Sequence, residues 1–334
     1  VNTTTEVQAV VDAYALVLAE ANGALADASA NDPTAATYQT LGVNLGGIAT
    51  NADALALLND VIGDKAVADV DTVAKLDALA AAINRLNSAP QTLTLQDLAL
   101  LGNTQATAET LANIQAAIAD GGAIYAPINS VADLTAAVTA GVNAYATALA
   151  VIRDYAQSNT GTLPVLSTFT QANVSGVDSA NLGFVQQALA SAALVGVDVD
   201  TTAEIQALVS AVNALRSSLD GDGSDNDMAL SSAQISALGL RAMDTAAEVS
   251  LLNDVLDGRS SAQLSSYADL TALANTVSDL KLAALGSAPA APLTVTRLTA
   301  LGLNNVSDLY LAAILERIEA TANDGSGVDT MVKL

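Results

Sequence analysis

The densest group of side chains able to do chemistry is Asp220-Gly221-Asp222-Gly223-Ser224-Asp225-Asn226-Asp227: four carboxylates, an amide and two glycines in eight residues. Calcium takes six to eight oxygen ligands from a flexible, glycine-kinked loop, so Asp220, Asp222, Asp225 and Asp227 are the candidate metal ligands. The stretch departs from the helix–loop–helix calcium pattern at two places. Asp225 stands at the sixth position, where glycine belongs, and no Glu follows at the twelfth. Asn323-Asp324-Gly325-Ser326-Gly327 is a thinner echo. The plain alternative is a solvated loop between helices, although four clustered carboxylates repel one another and so draw a cation.

Other chemistries lack their parts. The chain has no His and no Cys, which removes the usual nucleophile–base pairs and the usual zinc ligands. Gly42 and Gly47 have the glycine spacing of a phosphate loop, but Ile48 and Ala49 stand where its Lys and hydroxyl belong. The acids fall at helix starts, loop ends and polar faces, where solubility explains them, so the chain reads as a non-enzyme. Tyr14, Tyr145 and Tyr267 fall in helices, and Tyr38 replaces a core Leu; packing explains each of them.

The elements that position these residues recur. One motif appears as Val1-Asn2-Thr3-Thr4-Thr5-Glu6-Val7 and starts again at Val70, Ile128, Val199, Leu264 and Val328, a period of about 65 residues. Thr3-x-x-Glu6, Ser130-x-x-Asp133, Thr201-x-x-Glu204 and Ser266-x-x-Asp269 are capping boxes, in which the hydroxyl accepts a first-turn amide and the acid reaches back. Downstream, Ile205, Leu208, Val209, Val212 and Leu215 keep helical spacing, as do Leu76, Leu79, Ile83 and Leu86. Each copy therefore starts an amphipathic helix.

A second landmark keeps step with the first. Leu41-Gly42, Leu101-Gly102, Leu238-Gly239 and Leu301-Gly302 end short apolar segments, and Ala172-Asn173 takes that place once. Gly, or Asn in its stead, stops a helix in the left-handed conformation. The unit read from the sequence is a short helix, a stop, a middle helix, a variable loop and a capped third helix. The fold class is all-α, a tandem array of about five three-helix repeats, either solenoid-like or as linked small bundles. The boundaries are 1–32 (an orphan third helix), 33–91, 92–162, 163–229, 230–292 and 293–334 (a partial repeat).

Composition sets the partners. The net charge of −24, from 35 acidic and 11 basic residues, offers no basic stripe for nucleic acid and disfavours anionic membrane surfaces. Two uncharged runs, Leu134 to Ile152 and Ala180 to Val197, are long enough to consider as membrane spans. They are studded with Thr, Asn, Gln, Ser and Gly, which predicts buried helices rather than insertion. An acidic, cysteine-free surface suits a salty extracellular medium. The first residues show no basic and apolar signal sequence, so any export information lies elsewhere.

Val199-Asp200-Thr201-Thr202-Ala203-Glu204-Ile205-Gln206-Ala207-Leu208-Val209 and Asn173-Val174-Ser175-Gly176-Val177 resemble the Ala- and Asp-rich helical repeats of very large secreted, adhesin-like bacterial surface proteins. The resemblance covers nearly the whole chain and implies export, a cell-surface or matrix location and a scaffold role, with no catalytic residues. Two functions follow as expectations. The first is a structural rod or filament segment. The second is an adhesin module that contacts glycan or protein through its variable loops, against which the scarcity of aromatics counts. The expected partners are copies of the chain itself or adjacent repeats of a longer chain. The termini read as complementary parts of one repeat, with Val7, Val10, Val11 and Tyr14 exposed on one side and Leu311, Ile314, Leu315 and Ile318 on the other.

Overall fold

A computed structural model describes residues 3–23, 32–120, 127–191, 193–219, 221, 229–243, 245–321 and 326–334. Among them the chain is all-helical: there is no strand, and a single isolated bridge joins Asn22 to Ala66. The chain divides into two compact units, Val1–Thr147 and Ala148–Leu334, and each has its own apolar core.

The first unit contains α1 (Thr4–Glu20), α2 (Ala35–Leu41), α3 (Ala52–Gly63), α4 (Val67–Val70), α5 (Val73–Ser88), α6 (Leu95–Leu100) and α7 (Leu111–Ala119). Helix α8 (Val131–Ser158) carries the boundary between the units. The second unit continues with α9 (Leu166–Gln171), α10 (Leu182–Leu189), α11 (Thr202–Ser218), α12 (Ser232–Ala237), α13 (Ala246–Asp257), α14 (Tyr267–Ala284), α15 (Val295–Ala300) and α16 (Asp308–Glu319).

The long helices begin where local chemistry dictates. Thr3 Oγ1 accepts the Glu6 amide at 3.2 Å, and the Glu6 carboxylate accepts the Thr3 amide at 3.0 Å. Thr201 with Glu204 and Ser266 with Asp269 close the same reciprocal box, and Ser130 accepts the Asp133 amide at 3.1 Å. Each such cap stabilises its helix by about 1 kcal/mol. Thr72 caps α5 alone, because Lys75 at the reciprocal position has nothing to accept with. Lys75 pairs instead with Asp71 at 2.7 Å, and Lys333 pairs with Asp329 at 2.8 Å in the last copy of the motif.

The short helices end by one device. Gly42, Gly102, Gly239 and Gly302 adopt positive φ, and Asn173 takes φ 56° in their place. The residue after each stop then donates its amide five residues back. Val43 bonds Tyr38 O, Asn103 bonds Leu98 O, Val174 bonds Phe169 O, Leu240 bonds Ile235 O and Leu303 bonds Leu298 O, at 2.8–3.3 Å. The five accepting residues are also the buried anchors of their helices, each at most 1% exposed. Tyr38 thus sits where a core Leu is due.

The two uncharged runs differ from expectation. Ala180–Val197 is not one helix: α10 covers eight residues, and a turn precedes a 3-10 segment at Gly196–Asp198. Helix α8 is long and apolar enough to cross a bilayer, and only 28% of its most apolar window is buried. At the termini, Val7 and Val11 are 52% and 53% exposed, whereas Val10 and Tyr14 are half-buried. Leu311, Ile314 and Leu315 are half-buried too. Ile318 is buried, contrary to the expected exposed face, because it joins the core of the second unit.

Candidate functional site

Polar contacts between different copies of the motif are where the geometry is most specific. Four middle helices, α3, α7, α10 and α13, each place one amide side chain among their apolar residues, whereas α16 has none. Asn59 of α3 donates to Pro33 O at 3.0 Å and Gln115 of α7 to Leu93 O at 2.8 Å. Gln186 of α10 donates to Pro164 O at 2.7 Å and Asn253 of α13 to Leu230 O at 3.0 Å. The accepting carbonyl always precedes the N-cap of the short helix, so the amide fixes where that helix enters. Asn59 Oδ1 also accepts the Tyr38 hydroxyl at 2.7 Å, and Asn253 Oδ1 the Leu230 amide at 2.8 Å. Burial pushes the Tyr38 phenol far above its ordinary pKa, with the charges of Glu20 and Asp32 adding to it.

The residue after that amide reaches the next copy. Asp60 accepts the Val131 amide at 2.5 Å, Gln187 accepts the Tyr267 amide at 2.9 Å, and Asp254 accepts the Met331 amide. Val131 and Tyr267 open their helices, so their amides lack an intrahelical partner, and Met331 stands at the matching place of the motif in a closing turn. The α7 sequence has Ala116 at this position, which carries no acceptor.

Third helices also meet the short helix that follows them in sequence, and here two contacts carry opposite polarity. Arg85 of α5 pairs with Asp97, third residue of α6. Asp279 of α14 pairs with Arg297, third residue of α15, at 2.7 Å. Asp279 also accepts from Arg241 at 2.9 Å and from the Ala290 amide at 2.8 Å. Burial alone would push Asp279 up, but the hydrogen bonds from Arg297 and Arg241 outweigh it and hold the carboxyl below its ordinary range. Asp97 is held low in the same way, by Arg85 and Thr94 against burial.

Around Asp279 lies a cavity of about 800 Å³ in the second unit, lined by Arg241, Arg259 and Arg297 with Leu264, Leu273 and Ala291. Arg259 donates through Nη2 to Ala300 O, and its Nε is buried without a partner. Burial pushes its pKa down.

The predicted metal ligands Asp220, Asp222, Asp225 and Asp227 lie outside the described residues, as do Asn323, Asp324 and Gly325. Gly221, between two of those acids, lies beside the Arg259–Ser260 backbone. Among the described residues no three acidic side chains gather as a metal cage. Of the tyrosines, Tyr14 donates to Asp71 O at 2.9 Å. Tyr267 donates to Leu238 O at 2.5 Å and meets Phe184 edge-on at 6.0 Å. Tyr145 is half-buried in α8.

The arginine seams and the amide clamp were not singled out from the sequence. The clamp left one signal, the tetrapeptide Leu-Leu-Asn-Asp at both 57–60 and 251–254. No family model, curated protein or solved structure matches the chain.

Proposed function

We propose that the chain is an extracellular structural segment of a bacterial surface protein, a tandem array of about five three-helix repeats that builds a rod or filament. The observation that carries this reading is the contact from three of the middle helices, α3, α10 and α13, to a backbone amide at the start of a later copy of the motif, made by Asp60, Gln187 and Asp254. A unit whose cap is completed by its neighbour is stable only when stacked, as in solenoids. Further support comes from packing. Helices α1, α5, α11 and α14 each lie against the short helix next in sequence, and α3, α10 and α13 against the third helix of their own copy.

Association with a further copy of the motif belongs to the same proposal. Beside α16 is a groove of about 670 Å³, lined by Tyr310, Ile314, Ile318, Val328 and Leu334, with Arg317 and Lys333 among its residues. Helix α1 exposes Val7 and Val11 and carries Glu6 and Asp12 with no basic residue. Head-to-tail docking of one on the other makes a contact that does not close. Calcium at Asp220, Asp222, Asp225 and Asp227 is proposed as an accessory ligand of the array.

Electron microscopy of the purified chain tests the proposal. Rods or filaments are the expected result, and a population of compact globular particles refutes it. Deleting residues 1–22 should abolish assembly while the remaining helices persist. Assembly of the deleted chain as readily as the parent refutes the docking step.

A further inference from the structure

We infer that the cavity around Arg259 is a binding site for a small organic monocarboxylate. Three arginines converge there in a chain with only 11 basic residues against 35 acids, so their gathering is not a by-product of a basic surface. Asp279 engages Arg241 and Arg297 with its two oxygens, and Asp269 is held in the cap of α14 by Ser266. Arg259 pairs with no carboxylate among the described residues; its one donated bond goes to a carbonyl. Among the described residues that line the cavity, the three guanidinium groups set against Asp269 and Asp279 leave one net positive charge.

That charge selects the ligand. A guanidinium presents a planar fork of donors that matches a carboxylate, and the match strengthens where water is displaced. The lining also includes the apolar side chains of Leu264, Leu273, Ala272 and Ala291, which take a hydrocarbon body. The volume lies in the range of small-molecule sites. A dianion such as inorganic phosphate fits poorly, because one net charge faces it and the apolar side chains cannot solvate it. The overall charge of −24 repels any anion at long range, but salt of about 0.15 M screens this within about 8 Å.

Hexanoate is the probe, titrated into the full chain at that salt while methyl resonances of Leu264 and Leu273 are followed by NMR. Saturable shifts are expected, with hexanol and inorganic phosphate weaker by about tenfold or more. Arg259→Gln should weaken hexanoate by about tenfold or more and leave the hexanol response unchanged, whereas Arg259→Lys, which keeps the charge, retains part of the affinity. Ala291→Trp, which fills the cavity and leaves Arg259 in place, should abolish binding and serves if Arg259→Gln fails to fold. Equal hexanoate affinity in the parent and in either Arg259→Gln or Ala291→Trp overturns the inference. So does the lack of a saturable shift in the parent, or phosphate binding as tightly as hexanoate.

Discussion

Replacing Gly141 with Ala should destabilise the first unit, although the same change inside a helix ordinarily helps. Gly141 lies in the interior of α8, where Ala is favoured over Gly by about 1 kcal/mol. A Cβ built there would stand 2.5 Å from Ile114 Cα and 2.6 Å from Ile114 N. Carbon atoms in contact sit about 3.5–4.0 Å apart, and both obstacles are backbone, so no rotamer change relieves the overlap. Helices α7 and α8 must move apart by about 1 Å, and a gap of that size forfeits a quarter to a half of each contact across it. Ile114, Ala137 and Val138 are all fully buried in that core. Overpacking costs about 1–3 kcal/mol, and more against backbone, which leaves a net loss of about 1–3 kcal/mol after the propensity gain. Gly183 in α10 is the control, since its added Cβ meets nothing within 4 Å, and Gly183→Ala should gain about 0.5–1 kcal/mol. Urea unfolding followed by circular dichroism measures both, with hydrogen exchange at the Ile114 amide as the local report. A Gly141→Ala protein as stable as the parent refutes the reasoning.

Asn253→Ala strands the buried Leu230 amide and carbonyl together and should cost about 2–4 kcal/mol in urea titrations; a loss under about 1 kcal/mol means that water replaces the clamp. Asp97 and Asp279 both titrate below the ordinary 3.8 in the folded chain. Their contribution is therefore present above that value and lost as pH falls through the folded pKa. Asp279→Asn should flatten the acid limb of the stability–pH curve of the second unit, and an unchanged limb refutes the assignment. The Tyr38 pKa is raised, so its contribution is full below about 10 and lost as pH rises further. Ultraviolet titration should show one phenol ionising only with unfolding, a step missing from Tyr38→Phe; the same step in both proteins removes the premise.

What the sequence made legible was chemistry confined to one turn of chain. Ser130, Thr201 and Ser266 cap because hydroxyl and acid stand three residues apart. Asn173 stops α9 as Gly stops the others because both tolerate positive φ. The end of α10 was hidden, because nothing between Ala180 and Val197 is charged and no Pro marks the break. The clamp was harder still. Its partners lie 22–26 residues apart, and a lone Asn or Gln among leucines reads as a flaw in an apolar face. The arginine seams escaped because they do not conserve residue type: Arg85 and Asp279 occupy matching places with opposite charge.

That reversal has a consequence for folding. Copies that share caps, stops and clamps are interchangeable to first order, and similar neighbouring segments misassemble by swapping. Polarity breaks the degeneracy. If α14 were to seat on α6, Asp279 would face Asp97, two carboxylates that are 2% and 7% exposed in their own seams. If α5 were to seat on α15, Arg85 would face Arg297. Like charges brought together across a buried contact cost several kcal/mol, more than a shared apolar pattern recovers by pairing with the wrong copy. The two charged seams thus distinguish the α5–α6 pairing from the α14–α15 pairing, which the shared motif does not. Polarity is also separable from strength. Arg85→Asp combined with Asp97→Arg restores the attraction but gives up the Thr94–Asp97 box, so the double variant should recover more than either single change while stopping about 1 kcal/mol short of the parent. Losses that simply add in the double variant, measured by exchange at the Leu98 amide, defeat the argument that charge order sets the pairing.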